Sequence, residues 1–267
     1  MKLIHAFLVC LMALLLRAGS ATAQNESKST DKPASAKAAQ APSTSPSPAQ
    51  PSTKQPPPAQ SNTGLERVLS EMDKTAAGFR SAEADFIWDQ YQKVVDEHDQ
   101  QKGRVYFRRQ NHEIQMAANI TDPAKKDVLF SAGKVQVYQP AISQVTEYNV
   151  SKNRQELESF LVLGFGGSGH DLLKQYDAKY LGTEQVNRVN ADKLQLIPKS
   201  VKVRNNVERI LLWIDPARGL SVQQQFFEPS GDYRLSKYFN IQLNQKIPDN
   251  VFKLKTDVKT KVISPQR

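Results

Sequence analysis

Apolar and polar side chains alternate with a period of two over most of the chain after residue 80. The segment SAEADFIWDQYQKVV is typical, because Phe86 and Trp88 fall on one side of an extended chain and acidic residues fall on the other. Comparable runs follow with only short turns between them, for example in SAGKVQVYQPAISQVTEYNV. Consecutive strands joined by short turns favour an antiparallel sheet over alternating strand and helix units. The pattern therefore predicts a mainly β domain of about eleven strands with one apolar face.

Two regions have helical rather than extended periodicity. Apolar residues recur on one helical face between Leu65 and Phe79, and Gly78 is a usual helix end. The segments SKNRQELESFLVLG and GHDLLKQ predict two further short helices. These helices are too few to cover a large sheet completely. If the sheet curves and the helices close its open side, an apolar cavity would remain between the sheet and the helices. A fully packed barrel core is the alternative.

The first residues have the three parts of a secretory signal. A positively charged start is followed by an apolar run of 11 residues and a small-residue cleavage site, which predicts a signal peptide over residues 1–23. The apolar run is shorter than the roughly 20 residues that a membrane-spanning helix needs. Cys10 is the chain's one cysteine and lies in this run, so the predicted mature protein has no thiol. The sequence thus predicts export across a membrane, with anchoring only where the signal stays uncleaved.

Composition changes sharply after the signal. Residues 24–63 hold eight of the chain's 15 prolines among small and polar residues, which predicts a disordered linker. Residues 64–267 are predicted to form one domain. Of the formal net charge of +9, residues 1–63 contribute +4 and the domain +5. Lys and Arg are scattered among acids without a basic, aromatic-rich patch, so no nucleic-acid partner is predicted.

Catalytic constellations are not apparent in the domain. GFGGSG, residues 164–169, matches a dinucleotide-binding fingerprint formally, but it lacks the preceding strand and the long following helix that such a site requires. A hinge between two helices is the preferred interpretation. His98, His112 and His170 have no metal-ligand spacing. The sequence therefore predicts neither an enzyme nor a cofactor or metal site.

Arg109 has the same parity as Val105 and Phe107 on one strand, so its guanidinium is expected to project toward the apolar face. With five donors, it could hold backbone carbonyls of the covering helices and act as a latch. An arginine that extends to solvent at the strand's end is the alternative. The residues predicted to line the cavity are Phe86, Trp88, Val105, Phe107, Ile114, Met116, Ile210 and Leu212. Those predicted to face them from the lid are Leu157, Phe160, Leu161 and Leu172.

Several segments taken in order resemble the periplasmic lipoprotein carrier family LolA and its LolA-like relatives. They are FRSAEADFIWDQ, GRVYFRRQ, LFSAGKVQVYQP with QVTEY, LLKQYDAKYLG, LQLIPK and VFKLKTDV. The resemblance implies an incomplete antiparallel barrel with a helical lid over a hydrophobic cavity that receives acyl chains. It also implies that Arg109 corresponds to the family's strand arginine, which holds the lid in the unloaded form.

The resemblance carries expectations about partners as well. A family carrier takes acylated lipoproteins from an inner-membrane ATP-driven transporter and passes them to an outer-membrane receptor, and it would act as a monomer. Two alternatives stay open. The chain could carry another lipid for an envelope exporter, or it could be a periplasmic regulator that senses lipid or lipoprotein.

Overall fold

A computed structural model of the chain describes residues 58–111 and 113–265. Its central feature is a twelve-stranded sheet whose two outermost strands, in spatial order, do not pair with each other, so the sheet is not closed. Neighbouring strands are antiparallel, except that the last strand pairs in parallel with the sixth. The strands are β1 (Ser81–Gln92), β2 (Glu97–Gln110), β3 (Glu113–Asp122), β4 (Lys126–Ser131), β5 (Lys134–Gln139), β6 (Gln144–Asn149), β7 (Tyr176–Val186), β8 (Val189–Pro198), β9 (Arg209–Asp215), β10 (Leu220–Phe227), β11 (Tyr233–Leu243) and β12 (Lys261–Ile263).

The sheet consists of two meanders, β1 to β6 and β7 to β11, which are joined where β1 pairs with β11. The order across the sheet is β12, β6, β5, β4, β3, β2, β1, β11, β10, β9, β8 and β7. The pairing of β1 with β11 therefore joins a half formed early in the sequence to a half formed late. The predicted fold class, an incomplete antiparallel barrel with a helical lid, is confirmed.

In the described part of the chain four α-helices accompany the sheet: α1 (Pro58–Gly78), α2 (Arg154–Leu161), α3 (Gly169–Gln175) and α4 (Val201–Arg204). In α1, Val68, Leu69 and Met72 are buried, as expected for apolar residues on one helical face. Helix α3 is capped by Ser168, whose hydroxyl accepts a hydrogen bond from the Asp171 amide. Short 3₁₀ helices span Pro140–Ile142, Ser151–Asn153 and Asp249–Phe252.

Apolar side chains fill the inner face of the sheet, defined as the face that carries Phe86, Val105 and Ile210, in two separate clusters. One cluster joins β1 to β5 with α2 and the loop after it. The other joins β8, β9 and β10 with α1 and α3. The two clusters show that different helices cover the two halves of the sheet.

The structure differs from the sequence-based expectation at both ends of the domain. Helix α1 begins at Pro58, six residues before the predicted domain start at Gly64. Proline is favoured in a first helical turn because its missing N–H has no helical partner there. At the other end, the segment VFKLKTDVKTKVI, residues 251–263, predicts an extended tail, but it contains the end of a 3₁₀ helix and the short strand β12. Phe252 is buried there against the outer face of the sheet, which bends the tail.

One histidine is also placed differently. The polar segment DEHDQQKG, residues 96–103, predicts a turn, but His98 lies in β2, where Nδ1 is 2.8 Å from Oδ1 of Asp89 on β1. The turn between β1 and β2 is shorter than this segment, so β2 begins at Glu97. The predicted signal peptide, residues 24–57 of the predicted linker and His112 lie outside the described residues.

Candidate functional site

An apolar cavity of about 100 Å³ lies between the inner face of the sheet and α2. Alternation along each strand turns every second side chain toward it, so β1, β2, β10 and β11 each supply part of the wall. Helix α2 supplies the roof through Phe160 and Leu161. The lining residues are Trp88, Val105, Phe107, Met116, Val128, Val137, Phe160, Leu161, Gln224, Phe226, Arg234, Ser236 and Tyr238.

Aromatic contacts form the floor and the roof of this cavity. The rings of Phe86 and Trp88 stack with their centroids 4.0 Å apart. From the lid, the Phe160 ring lies 5.1 Å from that of Phe226 on β10. Offset and tilted ring contacts of this kind add to the free energy gained from buried area. Helix α2 is therefore held over the cavity by apolar contacts that a ligand of similar chemistry could replace.

The cavity is small for a ligand. Pockets that enclose drug-sized molecules measure roughly 300–1,000 Å³, several times the volume found between sheet and lid. A long acyl chain could enter only if α2 moved away from the sheet. The cavity is apolar and partly open to solvent, and the position of α2 limits how much it can hold.

Four of the eight residues predicted to line the cavity lie in its wall: Trp88, Val105, Phe107 and Met116. Phe86 is buried beside them and stacks on Trp88. The other three lie elsewhere: Ile114 lines an open groove beside Arg109, and Ile210 and Leu212 are buried in the second cluster. The reason is that α1 and α3 fill the inner face over β9, which leaves no cavity there.

The four predicted lid residues divide in the same way. Phe160 and Leu161 line the cavity, and Leu157 packs into the cluster beside it. Leu172, on α3, packs into the second cluster with α1 instead. Among the described helices, α2 is therefore the one that roofs the cavity.

Arg109 bridges two of the covering elements. One guanidinium nitrogen donates to the carbonyl of Ala76, near the end of α1, at 3.2 Å, and another donates to the carbonyl of Gly166 at 3.1 Å. The guanidinium carbon also lies 5.4 Å from the centre of the Phe79 ring. A cation is favourable at a helix C-terminus, where carbonyls lack helical partners. These contacts join α1 to the loop after α2, as the latch hypothesis requires, although the Arg109 side chain is exposed and does not lie in the apolar interior.

The glycine-rich loop between α2 and α3 packs closely on its surroundings. Gly166 has a φ of +86°, and a Cβ there would lie 2.3 Å from the Phe79 ring. At Gly169 a Cβ would lie 2.3 Å from the backbone oxygen of Leu69 in α1. Glycine is thus required by conformation and by close approach. A helix precedes this loop instead of the strand that a dinucleotide site requires.

The family model described as "Outer membrane lipoprotein carrier protein LolA" matches residues 77–255, which is more than half of the chain. The chain belongs to the LolA family. The match begins at the end of α1 and includes β1 to β11, so it contains the cavity, the lid and Arg109.

Solved structures with a similar fold were also found, at low identity. A putative outer membrane lipoprotein-sorting protein domain from Vibrio parahaemolyticus is 14% identical with a TM-score of 0.40, covering 72% of this chain and 96% of that one. LprF from Mycobacterium bovis is 12% identical with a TM-score of 0.42, covering 70% and 97%. MucB is 13% identical with a TM-score of 0.46, covering 73% of this chain and 63% of MucB. No curated protein sequence matches the chain.

Sequence reasoning missed a polar cluster that joins α1 to α3 in this LolA-family member. Asp73 Oδ1 accepts hydrogen bonds from the Ser168 hydroxyl at 2.6 Å and the His170 amide at 3.2 Å, and Oδ2 contacts Nδ1 of His170. His170 Nε2 lies 3.1 Å from Oε1 of Glu66. The hydrogen bond to Asp73 raises the pKa of His170, against a smaller opposing effect of burial. Burial raises the pKa of Asp73, but the hydrogen bonds from Ser168 and His170 together outweigh burial, so the pKa is lowered.

This cluster has the residue types of a catalytic triad but not its geometry. The Ser168 hydroxyl donates to Asp73 and not to the imidazole, so His170 is not placed as the general base of a triad. We interpret the cluster as a clasp between helices. Over residues 58–111 and 113–265, no group of three His, Cys, Asp or Glu side chains has a geometry suited to a metal ion. No described helix is both long and apolar enough to span a membrane.

Sequence reasoning also left out several cavity residues. Gln224 and Phe226 on β10, and Arg234, Ser236 and Tyr238 on β11, belong to strands that the alternation identifies correctly. Their alternate positions along each strand indicate that they share one face of the sheet. This alternation could not show that β11 would pair with β1 and so bring these residues to the cavity.

Proposed function

We propose that this chain is a periplasmic carrier that binds the acyl chains of lipoproteins and moves them from the inner to the outer membrane. It acts by binding and release and not as an enzyme. The observation that carries the proposal is the apolar cavity roofed by α2, with Phe160 and Leu161 as the parts of the lid that acyl chains would displace. Membership of the LolA family supports it.

The physical demand on a carrier is reversible binding. Each methylene moved from water to an apolar site contributes roughly 0.8 kcal/mol, and a bilayer gives a similar gain. Transfer between membrane and protein therefore depends on small differences. A lid that must leave its own apolar contacts to admit cargo reduces the net gain of loading, so release needs no large input of energy from the carrier.

Transfer between two membranes requires one partner that delivers the lipoprotein and another that accepts it. An inner-membrane ATP-driven transporter would deliver acylated lipoproteins, and an outer-membrane receptor would accept them. The carrier itself would act as a monomer. Carriage of another lipid for an envelope exporter and regulation through a stable partner complex are the other outcomes that an experiment must separate.

A release assay with a cavity-filling variant tests the proposal. Val137 lines the cavity, and its neighbour Gln136 on β5 points to the opposite face. Spheroplasts that hold an acylated lipoprotein in their inner membrane would be incubated with the wild type, with Val137→Phe or with Gln136→Phe.

We expect the wild type and Gln136→Phe to release lipoprotein as a soluble complex, and Val137→Phe to release much less while retaining its melting temperature. Equal release by all three would reject the cavity as the cargo site. Binding of lipid without any lipoprotein release would favour carriage of another lipid, and a stable complex with an envelope protein would favour the regulator.

A further inference from the structure

Arg234 is a charged residue in the wall of the otherwise mainly apolar cavity. It is the second residue of β11, where it pairs with Gln90 on β1 and with Phe226 on β10. Alternation along β11 places it on the same face as Ser236 and Tyr238, and all three line the cavity. The side chain is partly buried and lies at the end of β11, next to the turn between β10 and β11.

The guanidinium of Arg234 has no acidic oxygen within 4.0 Å among the described residues, and none of its nitrogens donates a hydrogen bond to a described residue. Its close neighbour is the Phe226 ring, whose centre lies 5.8 Å from the guanidinium carbon. Arg109, in contrast, holds two carbonyls, and Arg104 pairs with Asp85 at 2.7 Å. Arg234 thus presents several free donors toward an apolar space.

The nearby polar groups are already engaged with each other. The Gln224 amide nitrogen donates to the carbonyl of Leu163 at 2.6 Å, and its oxygen accepts from the Tyr238 hydroxyl at 3.4 Å. Burial raises the pKa of Glu228, the acid at the β10 end of the turn, and the charge of Asp232 raises it further while Arg234 lowers it. The Glu228 carboxylate does not approach the Arg234 guanidinium within 4.0 Å.

A cation in such a place has an energetic cost. Burial lowers the pKa of the Arg234 guanidinium, against smaller opposing effects of Tyr238 and Glu228. Arginine nevertheless stays protonated in proteins, so the guanidinium remains a cation that is partly removed from water. An oxyanion at this position would restore hydrogen bonds to the free donors, and carboxylates and phosphates match the planar fork of a guanidinium.

We propose that Arg234 binds the oxyanion of an anionic amphiphile, such as a fatty acid or an alkyl phosphate, whose chain occupies the cavity. This proposal rests on the proposed acyl-chain function. It adds anionic lipids as a ligand class to the lipoproteins, whose acyl chains are attached through neutral esters and amides. The chain would lie against Trp88 and Phe107, and the oxyanion would lie at the rim. Register places Arg234 and Arg109 at opposite ends of β1, about nine residues or roughly 30 Å apart. The head group would thus be held away from the latch.

The test compares ligands that differ only in charge. Lauric acid, dodecyl phosphate and methyl laurate would be titrated at pH 7.5, below their aggregation concentrations, and followed by the change in tryptophan fluorescence, since Trp88 lines the cavity whereas Trp213 lies outside it. The variants are Arg234→Gln and Arg234→Lys. The matched control is Lys237→Gln, which removes the same charge from β11 on the outer face.

We expect the wild type and Lys237→Gln to bind the two anions about tenfold more tightly than the methyl ester, as charge-assisted hydrogen bonds predict. Arg234→Gln should bind all three with similar affinity, and Arg234→Lys should retain part of the preference. Affinity for the methyl ester should be unchanged in every variant, which verifies that the cavity is intact.

Two results would overturn this inference. If the wild type binds acid and ester equally, or if Arg234→Gln keeps the full preference, Arg234 does not recognise the oxyanion and only stacks on Phe226. The acyl-chain function would survive either result. If none of the three ligands binds the wild type, the acyl-chain function fails and this inference fails with it.

Discussion

Replacing Arg109 by leucine should loosen the lid without unfolding the domain. The change removes hydrogen bonds of 3.2 and 3.1 Å to the carbonyls of Ala76 and Gly166. Hydrogen bonds to charged groups contribute about 1.5–3 kcal/mol each when well formed. Both are longer than the 2.7–2.9 Å typical of charge-assisted pairs, and the side chain is largely exposed. A discounted value of about 0.5–1 kcal/mol each is therefore appropriate.

The expected loss of about 1–2 kcal/mol corresponds to a lid that opens roughly 5- to 30-fold more often. Hydrogen–deuterium exchange measured by mass spectrometry reports this directly, because amides of α2 and of residues 164–169 exchange when the lid leaves the sheet. Their exchange should accelerate by that factor in Arg109→Leu. Amides of β4, in the centre of the first meander, should not change.

Arg104→Leu is the matched control, because Arg104 lies on the same strand but pairs with Asp85 on the exposed face. This variant should leave exchange of α2 unchanged. Equal exchange of the lid in the wild type and in Arg109→Leu would refute the latch. So would the same acceleration in both variants, because the effect would then belong to β2 as a whole.

Three further predictions concern the packing of the helices. The clasp of His170 and Asp73 should stabilise the domain below about pH 6.5, and this stability should be lost as pH rises through the raised pKa of His170. The melting temperatures of the wild type and His170→Gln should therefore converge at alkaline pH. A constant difference between them from pH 5.5 to 9 would contradict this. Leu212→Ala should lower the free energy of unfolding by about 2–5 kcal/mol in urea titration, because Leu212 is fully buried, whereas a loss below 1 kcal/mol would show that the core relaxes. Gly166→Ala should cost about 1–3 kcal/mol in the same assay, since its Cβ would meet the Phe79 ring, and wild-type stability would refute that contact.

The inward face of each strand was predictable from the sequence. Phe86 and Trp88 share a parity, as do Val105 and Phe107, and the pleat of a strand converts parity into a face without further information. The same rule correctly selected the face of Ile210 and Leu212. It could not show which helix would cover them, because this depends on how α1 packs against strands that lie more than a hundred residues later in the chain.

The other contacts could not be predicted from the sequence, because they depend on the length of a side chain or on pairing between distant segments. Arg109 has the parity of Phe107, yet its length carries the guanidinium past the sheet to carbonyls of two covering elements. Asp73 and His170 are 97 residues apart and meet because α3 packs against α1. Arg234 enters the cavity because β11 pairs with β1 across the junction of the two meanders. No local pattern in the sequence contains these contacts.

The central claim is that the space under α2 receives acyl chains. The most direct measurement is native mass spectrometry of the protein purified without detergent from the cell envelope in which it is produced, followed by dissociation and identification of whatever is bound. The account predicts an acyl-chain ligand at one copy per chain that Val137→Phe loses and Gln136→Phe keeps. An empty protein that also fails to take up acylated lipoprotein or free lipid when these are added would contradict it.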